Sequence, residues 1–302
     1  MDDGYELPLS VWQPEQKPRA VVLALHGFND YRNAFTGVGP RLARGGIVTY
    51  AYDQRGFGET AQRGVWPGSD RLVSDIIVLS RLVCADYPDL PLYLLGESMG
   101  AAVILSALQQ LDIRCVAGVV LMAPAVWGWQ TMPLWQQAAL WLAAHTVPAN
   151  TVSPEGLDIM ASDNIEMLRA LGRDPLVIKR SRIDTIFGLT NLMESALLDS
   201  SELALPALIL YGERDEIIPV GAFCRMLHAL PGTTAGQWRF VLYPKGYHML
   251  SRDLQSDTVL EDMLAWLLDP HGRLPSGLEV SRGDERLQAL CGVPPVPADR
   301  LR

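Results

Sequence analysis

Three side chains in this sequence could together perform covalent acyl transfer. Ser98 stands in Gly96-Glu97-Ser98-Met99-Gly100, Asp215 in Gly212-Glu213-Arg214-Asp215, and His248 in Gly246-Tyr247-His248. A serine hydroxyl is a poor nucleophile at neutral pH. It needs a base within hydrogen-bond reach, and the base needs an acceptor that fixes its tautomer and stabilises the imidazolium. Each residue also has a structural reading. Ser98 could be a turn serine, Asp215 could cap the helix after it, and Glu213 and Glu216 are rival carboxylates in the same loop. Of the other histidines, His26 is read as a hydrogen-bonding brace for its loop, and His145, His228 and His271 as surface or packing residues. The elements that carry these residues decide between the readings.

An apolar run at residues 92–95 leads straight into the Gly-x-Ser-x-Gly turn, and a helix-compatible stretch at 101–111 follows. Strand, sharp turn and helix put one hydroxyl at the apex, beside the free N–H groups of a helix start. Gly96 and Gly100 suit a turn so tight that side chains there would strike the neighbouring strand and helix. Before it, residues 5–12 alternate as an edge strand containing Pro8, residues 21–25 and 47–52 read as buried strands, and helices are expected at 33–44 and 69–86. After it come a strand at 116–122, strands at 207–211 and 239–243, and helices at 220–229 and 253–268.

This alternation predicts an α/β fold with a mostly parallel sheet flanked by helices. Residues 124–201 interrupt it with no readable strand. Helical pieces near 133–145, 163–171 and 175–198, separated by Pro148, Pro154, Gly172 and Pro175, predict a helical cap inserted after the sixth strand. The core is then 1–123 with 202–269, and 270–302 is an irregular tail rich in Pro, Gly and Arg. Ligands of open α/β sheets sit outside the carboxyl ends of the strands. Ser98, Asp215 and His248 all fall at such ends, in the chain order expected of a serine triad.

Over residues 5–269 the chain resembles the α/β-hydrolases of the monoacylglycerol lipase and lysophospholipase type. The matching residues are His26-Gly27, Asp53-x-Arg55-Gly56-x-Gly58, Gly96-Glu97-Ser98-Met99-Gly100, Gly212-x-x-Asp215 with Ile217-Ile218-Pro219, and Gly246-Tyr247-His248. The resemblance implies the α/β-hydrolase fold, with Ser98 as nucleophile, His248 as base then acid, and Asp215 as its orienting partner. It also implies an oxyanion hole made by the backbone N–H groups of Phe28 and Met99. Where many relatives have His-Gly-x-Gly this chain has Asn29, a residue that tolerates left-handed backbone. Thr60 stands where a serine often ends the Asp-x-Arg-Gly loop. Asp53 and Arg55 are read as structural, holding a loop near the site by an ion pair.

The expected reaction is hydrolysis of a medium- or long-chain acyl ester, monoacylglycerol-like or lysophospholipid-like, through an acyl-enzyme. A thioesterase or acyltransferase would use the same machinery, and a non-catalytic ligand-binding α/β-hydrolase is the remote alternative. Trp127, Trp129, Met132, Trp135 and Trp141 are candidate substrate-binding residues. They either glue the cap to the core or line an acyl pocket and touch a lipid surface, because the helix near 133–145 is apolar almost all round. No cofactor or metal is expected, since the chemistry is acid–base and covalent.

The 302 residues are 49% hydrophobic and 20% charged, enough for a sizeable core, and the formal net charge of -9 argues against a nucleic-acid partner. Cys84, Cys115, Cys224 and Cys291 form no C-x-x-C pair and are read as buried free thiols. No membrane-length apolar run occurs, and the acidic start Met1-Asp2-Asp3-Gly4 has no apolar signal region. Localisation is read as cytoplasmic by default, with an exported or anchored form left open if upstream sequence was trimmed. Oligomeric state is not readable.

Overall fold

Val21, Leu23 and Leu25 face one side of strand β2 (Ala20–Leu25) and Ala20, Val22 and Ala24 the other, and all six are buried. Such a strand needs helices on both faces of its sheet. The computed structural model describes residues 1, 3–153, 156, 159–232 and 237–292. Ahead of β2 lies β1 (Leu9–Trp12). After it come a 3-10 turn (Arg32–Phe35), α1 (Val38–Arg44), β3 (Ile47–Tyr52), α2 (Ser69–Asp86), β4 (Leu92–Glu97), α3 (Met99–Ala107) and β5 (Val116–Met122). The long insertion holds α4 (Leu134–Thr146), β6 (Thr151–Val152), α5 (Ile165–Arg173), β7 (Ser181–Arg182) and α6 (Ile183–Asp199). The chain then returns as β8 (Ala207–Gly212), α7 (Val220–Ala229), β9 (Trp238–Tyr243), α8 (Ser256–Leu268), β10 (Glu279–Val280) and α9 (Glu285–Cys291).

The eight-stranded sheet has the order β1-β3-β2-β4-β5-β8-β9-β10. Its six inner strands are parallel, and the two edges, β1 on β3 and β10 on β9, are antiparallel. One face buries α2, α3, α6 and α7, with Phe223 stacked on Tyr211. The other buries α1 and α8, where Trp266 lies against Tyr93. The chain leaves β2 toward one side of the sheet and β4 toward the other, so the crevice between their carboxyl ends is a topological switch point.

Several expectations need correction. Five strands, β1 to β5, precede the insertion rather than six. The insertion contains a small antiparallel pair, β6 with β7, where no strand was readable, and α6 starts at Ile183 rather than near 175. The expected helix over 33–44 is broken at Thr36-Gly37 into a 3-10 turn and α1. The tail is regular in part, since β10 extends the sheet and α9 follows it. Pro154 and tail residues 293–302 lie outside the described residues. The cysteines are paired. Cys84 bonds Cys115, joining α2 to the lead-in of β5, and Cys224 bonds Cys291, joining α7 to α9. Separations of 31 and 67 residues give no spacing signature, and only the topology brings the Cα atoms to 6.0 and 5.6 Å.

Candidate active site

Ser98 sits between the last residue of β4 and the first of α3, with φ 54° and ψ -113°. A non-glycine residue there is strained, and surrounding bonds must hold it. Its N–H donates to Met122 O (2.9 Å), and its carbonyl accepts from Ala102 and Ala125 (both 3.1 Å). The flanking glycines are required by contact: a Cβ on Gly96 would lie 2.4 Å from Ala101 N, and one on Gly100 would lie 2.1 Å from Leu25 O. Met99 opens α3, so its N–H has no intrahelical acceptor.

The loop after β2 passes beside this turn, since a Cβ on Gly27 would come 3.3 Å from Ser98 Cβ. Phe28 follows Gly27, and Asn29 takes φ 65°, the left-handed backbone its residue type tolerates. Asn29 also ties this loop to the insertion. Its Nδ2 donates to Ser181 Oγ (2.8 Å) and its carbonyl accepts from Ile178 N (2.9 Å). Beneath it, His26 is buried; its Nε2 accepts from Gln54 N (2.9 Å), which leaves Nδ1–H to donate to Gly27 O (2.8 Å). Burial holds its pKa below the ordinary histidine value, against the pull of the Gly27 carbonyl and of Asp30, Asp53 and Glu97. A neutral ring with both nitrogens committed to main chain is a brace.

Asp215 lies in the turn after β8, its side chain fully buried. Oδ1 accepts from Ile217 N (2.8 Å) and Ile218 N (2.9 Å), and Oδ2 accepts from His248 Nδ1 (2.8 Å). The same carboxylate therefore organises its own turn and orients an imidazole. The two loops meet through their backbones, Glu213 N on Tyr243 O (3.0 Å) and Arg214 N on Gly246 O (2.9 Å). With Nδ1 donating to Asp215, His248 presents Nε2 as an acceptor. Burial opposes charge on this ring, yet the charge and hydrogen bond of Asp215 and the charge of Glu97 outweigh burial and Arg252. Its pKa lies above the ordinary histidine value.

Ser98 and His248 retain only 8% and 6% of their surface. The insertion covers these strand ends: Met249 N donates to Ala161 O (3.0 Å), Asn164 Nδ2 to Arg252 O (3.0 Å) and Ser162 Oγ to Asp253 Oδ1 (2.6 Å). Asp253 Oδ2 accepts from Tyr247 N (2.7 Å), so one carboxylate fixes the histidine loop to the insertion.

Of the candidate substrate residues, Trp129 and Trp141 come together. With Leu134, Gln137, Ala138, Phe187 and Asn191 they line an open hollow of about 480 Å³. Trp127 packs half-buried on the core and Met132 is half-buried, its carbonyl taken by Gln137 Nε2 (2.9 Å). Trp135 stands 70% exposed and Leu134 81%. Asp53 and Arg55 take separate partners, Asp53 bonding Arg32 (2.5 Å), and Arg55 bonding Asp75 (2.6 Å) and Asp3 (2.7 Å). The rival carboxylates Glu213 and Glu216 take other partners, Arg286 (2.7 Å) and Met160 N (2.7 Å).

Sequence reasoning missed a buried cluster between the loops. Arg252 donates to Asp30 Oδ2 and to Glu97 Oε1, both at 2.6 Å. Glu97 is the unspecified position of Gly-x-Ser-x-Gly, and the two bonds span 222 and 155 residues, so no local pattern announces them.

Residues 16–255 match the family described as "Serine aminopeptidase, S33". The chain belongs to this family. The chain is 27% identical over 270 residues to a monoacylglycerol lipase of Mycolicibacterium smegmatis, covering 88% of this chain and 94% of that one. It is 26% identical over 273 residues to the monoglyceride lipase of Mus musculus, covering 88% of each. Among solved structures it resembles a soluble variant of monoglyceride lipase from Saccharomyces cerevisiae in complex with a substrate analogue. There the TM-score is 0.75 at 21% identity, covering 90% of this chain and 94% of that one. A Paleococcus ferrophilus monoacylglycerol lipase superposes with TM-score 0.73 at 22% identity, covering 88% and 99%. The protein is an α/β-hydrolase similar to monoacylglycerol lipases.

Proposed function

We propose that this ester hydrolase cleaves a medium- or long-chain acyl ester with a small head group, monoacylglycerol-like or lysophospholipid-like, through an acyl-enzyme on Ser98. The observation that carries the reading is the buried His248–Asp215 hydrogen bond of 2.8 Å, at the strand ends where Ser98 is held at φ 54°. Ser98 Oγ attacks the ester carbonyl as its proton passes to His248 Nε2. The tetrahedral oxyanion takes hydrogen bonds from the N–H groups of Phe28 and Met99. As the intermediate collapses, the ester C–O bond breaks and His248 returns the proton to the departing alcohol. Water, deprotonated by His248, then attacks the acyl-enzyme; the acyl–Oγ bond breaks, His248 returns the proton to Ser98 Oγ, and the fatty acid leaves.

The relatives' names and the exposed apolar face of α4, Leu134, Trp135, Trp141 and Leu142, support a lipid substrate taken from a surface. No helix among the described residues is long and apolar enough to cross a membrane. The exposed face of α4 suits transient, interfacial contact through the cap. The two disulfides favour an oxidising compartment over the cytoplasmic default.

The test is turnover of p-nitrophenyl esters over a range of chain lengths, with product analysis and an amino-acid p-nitroanilide as comparison. The expected result is ester hydrolysis, with kcat lost on the order of 10⁶-fold and fluorophosphonate labelling abolished in folded Ser98→Ala. Turnover of the anilide alone, or no ester hydrolysis by folded protein, overturns the reading.

A further inference from the structure

The buried cation between the three loops has a use beyond holding the fold. Each partner in the cluster sits next to a working group: Asp30 two residues after Phe28, Glu97 immediately before Ser98, and Arg252 four residues after His248. The side chains of Arg252, Asp30 and Glu97 are 12%, 7% and 2% exposed. Arg252 grips the two carboxylates through different nitrogens, Nη1 to Asp30 and Nη2 to Glu97, both at 2.6 Å. A planar guanidinium bonded this way fixes distance and angle together, which a point-charge ammonium does not. Its own backbone is anchored as well, N–H to Met249 O (2.8 Å) and carbonyl to Asn164 Nδ2 (3.0 Å).

We infer that Arg252 is a positioning residue for the reaction, its guanidinium locking the oxyanion loop, the nucleophile turn and the histidine loop in one relative placement. The inference rests on the serine-triad reading above. No part of the cluster needs to touch substrate. Its contribution is the register of Phe28 N–H, Ser98 Oγ and His248 Nε2, and an error of about 1 Å in such a register can cost about 10²-fold in rate. The cluster also carries an electrostatic signature. The charged groups bearing on the His248 ring are Asp215 from the β8 loop, Glu97 from the end of β4 and Arg252 from its own loop. Glu97 favours the protonated ring and Arg252 opposes it.

The experiment compares Arg252→Met, Arg252→Lys, Glu97→Gln and Asp30→Asn with the wild type, using kcat and KM on one soluble ester, the fluorophosphonate labelling rate, and the pH dependence of kcat/KM. Arg252→Met is expected to lower kcat and labelling rate about 10²-fold with KM nearly unchanged, and to move the acid limb upward in pH. Arg252→Lys should return the limb to its wild-type position while keeping most of the rate loss, because it restores the charge without the fork. Glu97→Gln should move the limb downward. Arg252→Met or Arg252→Lys that label and turn over within about threefold of wild type overturn the inference. If Arg252→Met does not fold by circular dichroism, the isosteric Asp30→Asn and Glu97→Gln decide. A fall in their labelling rate supports the lock, and wild-type rates in both defeat it. Wild-type protein that fails to label at all defeats the triad reading instead, and this inference with it.

Discussion

At the scale of single residues, the chemistry depends on protons and backbone strain. Ser98 occupies backbone that costs about 1–3 kcal/mol to hold, offset by its N–H bond to Met122 O and the bonds its carbonyl accepts from Ala102 and Ala125. In the proposed mechanism His248 must be neutral to accept the serine proton, and its pKa lies above the ordinary histidine value. Activity should therefore fall as pH drops through a midpoint above about 6.5, measured as the acid limb of kcat/KM. Asp215→Asn removes the anion that raises this pKa, so the limb should move to lower pH. The amide would also favour the wrong tautomer, and kcat should fall about 10⁴-fold with KM little changed. An Asp215→Asn protein with a wild-type limb would exclude Asp215 as the group facing the ring. The strand-end positions of Ser98, Asp215 and His248 were legible because each follows an apolar run that reads as a strand. Arg252, Glu97 and Asp30 were not, because their meeting depends on how three distant loops close over one another.

At the scale of elements, α4 is the exception to the rule that an apolar helix is covered. Its apolar sequence is read either as glue for the core or as an acyl-pocket and lipid-facing helix; none of its residues is buried, and Leu134, Trp135, Trp141 and Leu142 face outward. An apolar face of this kind is suited to an interface with acyl chains. Leu134→Ser with Trp135→Ser should lower turnover of an ester presented in anionic or neutral vesicles about tenfold and reduce vesicle co-sedimentation, while hydrolysis of a short soluble ester stays unchanged. Equal loss on both substrates would mean that the helix shapes the pocket rather than meeting a surface. β2 and α2 were legible for a simple reason: six apolar residues in a row, or a face repeated over eighteen residues, have few alternatives. The two-residue strands β6 and β7 carry no period and exist only because Thr151 and Val152 lie against Arg182 and Ser181.

At the scale of the whole molecule, the tail and the disulfides decide how the chain is closed. Residues read as an irregular appendix instead add β10 to the sheet edge and bring α9 to α7, where Arg286 bonds Glu213 in the loop that carries Asp215. Cys224–Cys291 fastens this arrangement across 67 residues, and Cys84–Cys115 closes 31. In the chain-entropy account a cross-link stabilises by restricting the unfolded state, by about 4 kcal/mol for the longer loop and about 0.7 kcal/mol less for the shorter. Both double variants, Cys224→Ser with Cys291→Ser and Cys84→Ser with Cys115→Ser, should therefore melt several degrees below wild type, with the tail pair lower. The tail pair should also lose esterase activity before global unfolding, because Arg286 of α9 bonds Glu213 in the loop that carries Asp215. Thiol titration of the denatured, unreduced protein provides the direct check. No reactive thiol is expected from the paired structure, whereas four would mean that the closure is non-covalent and that the tail holds its place through β10, Arg286 and its other non-covalent contacts.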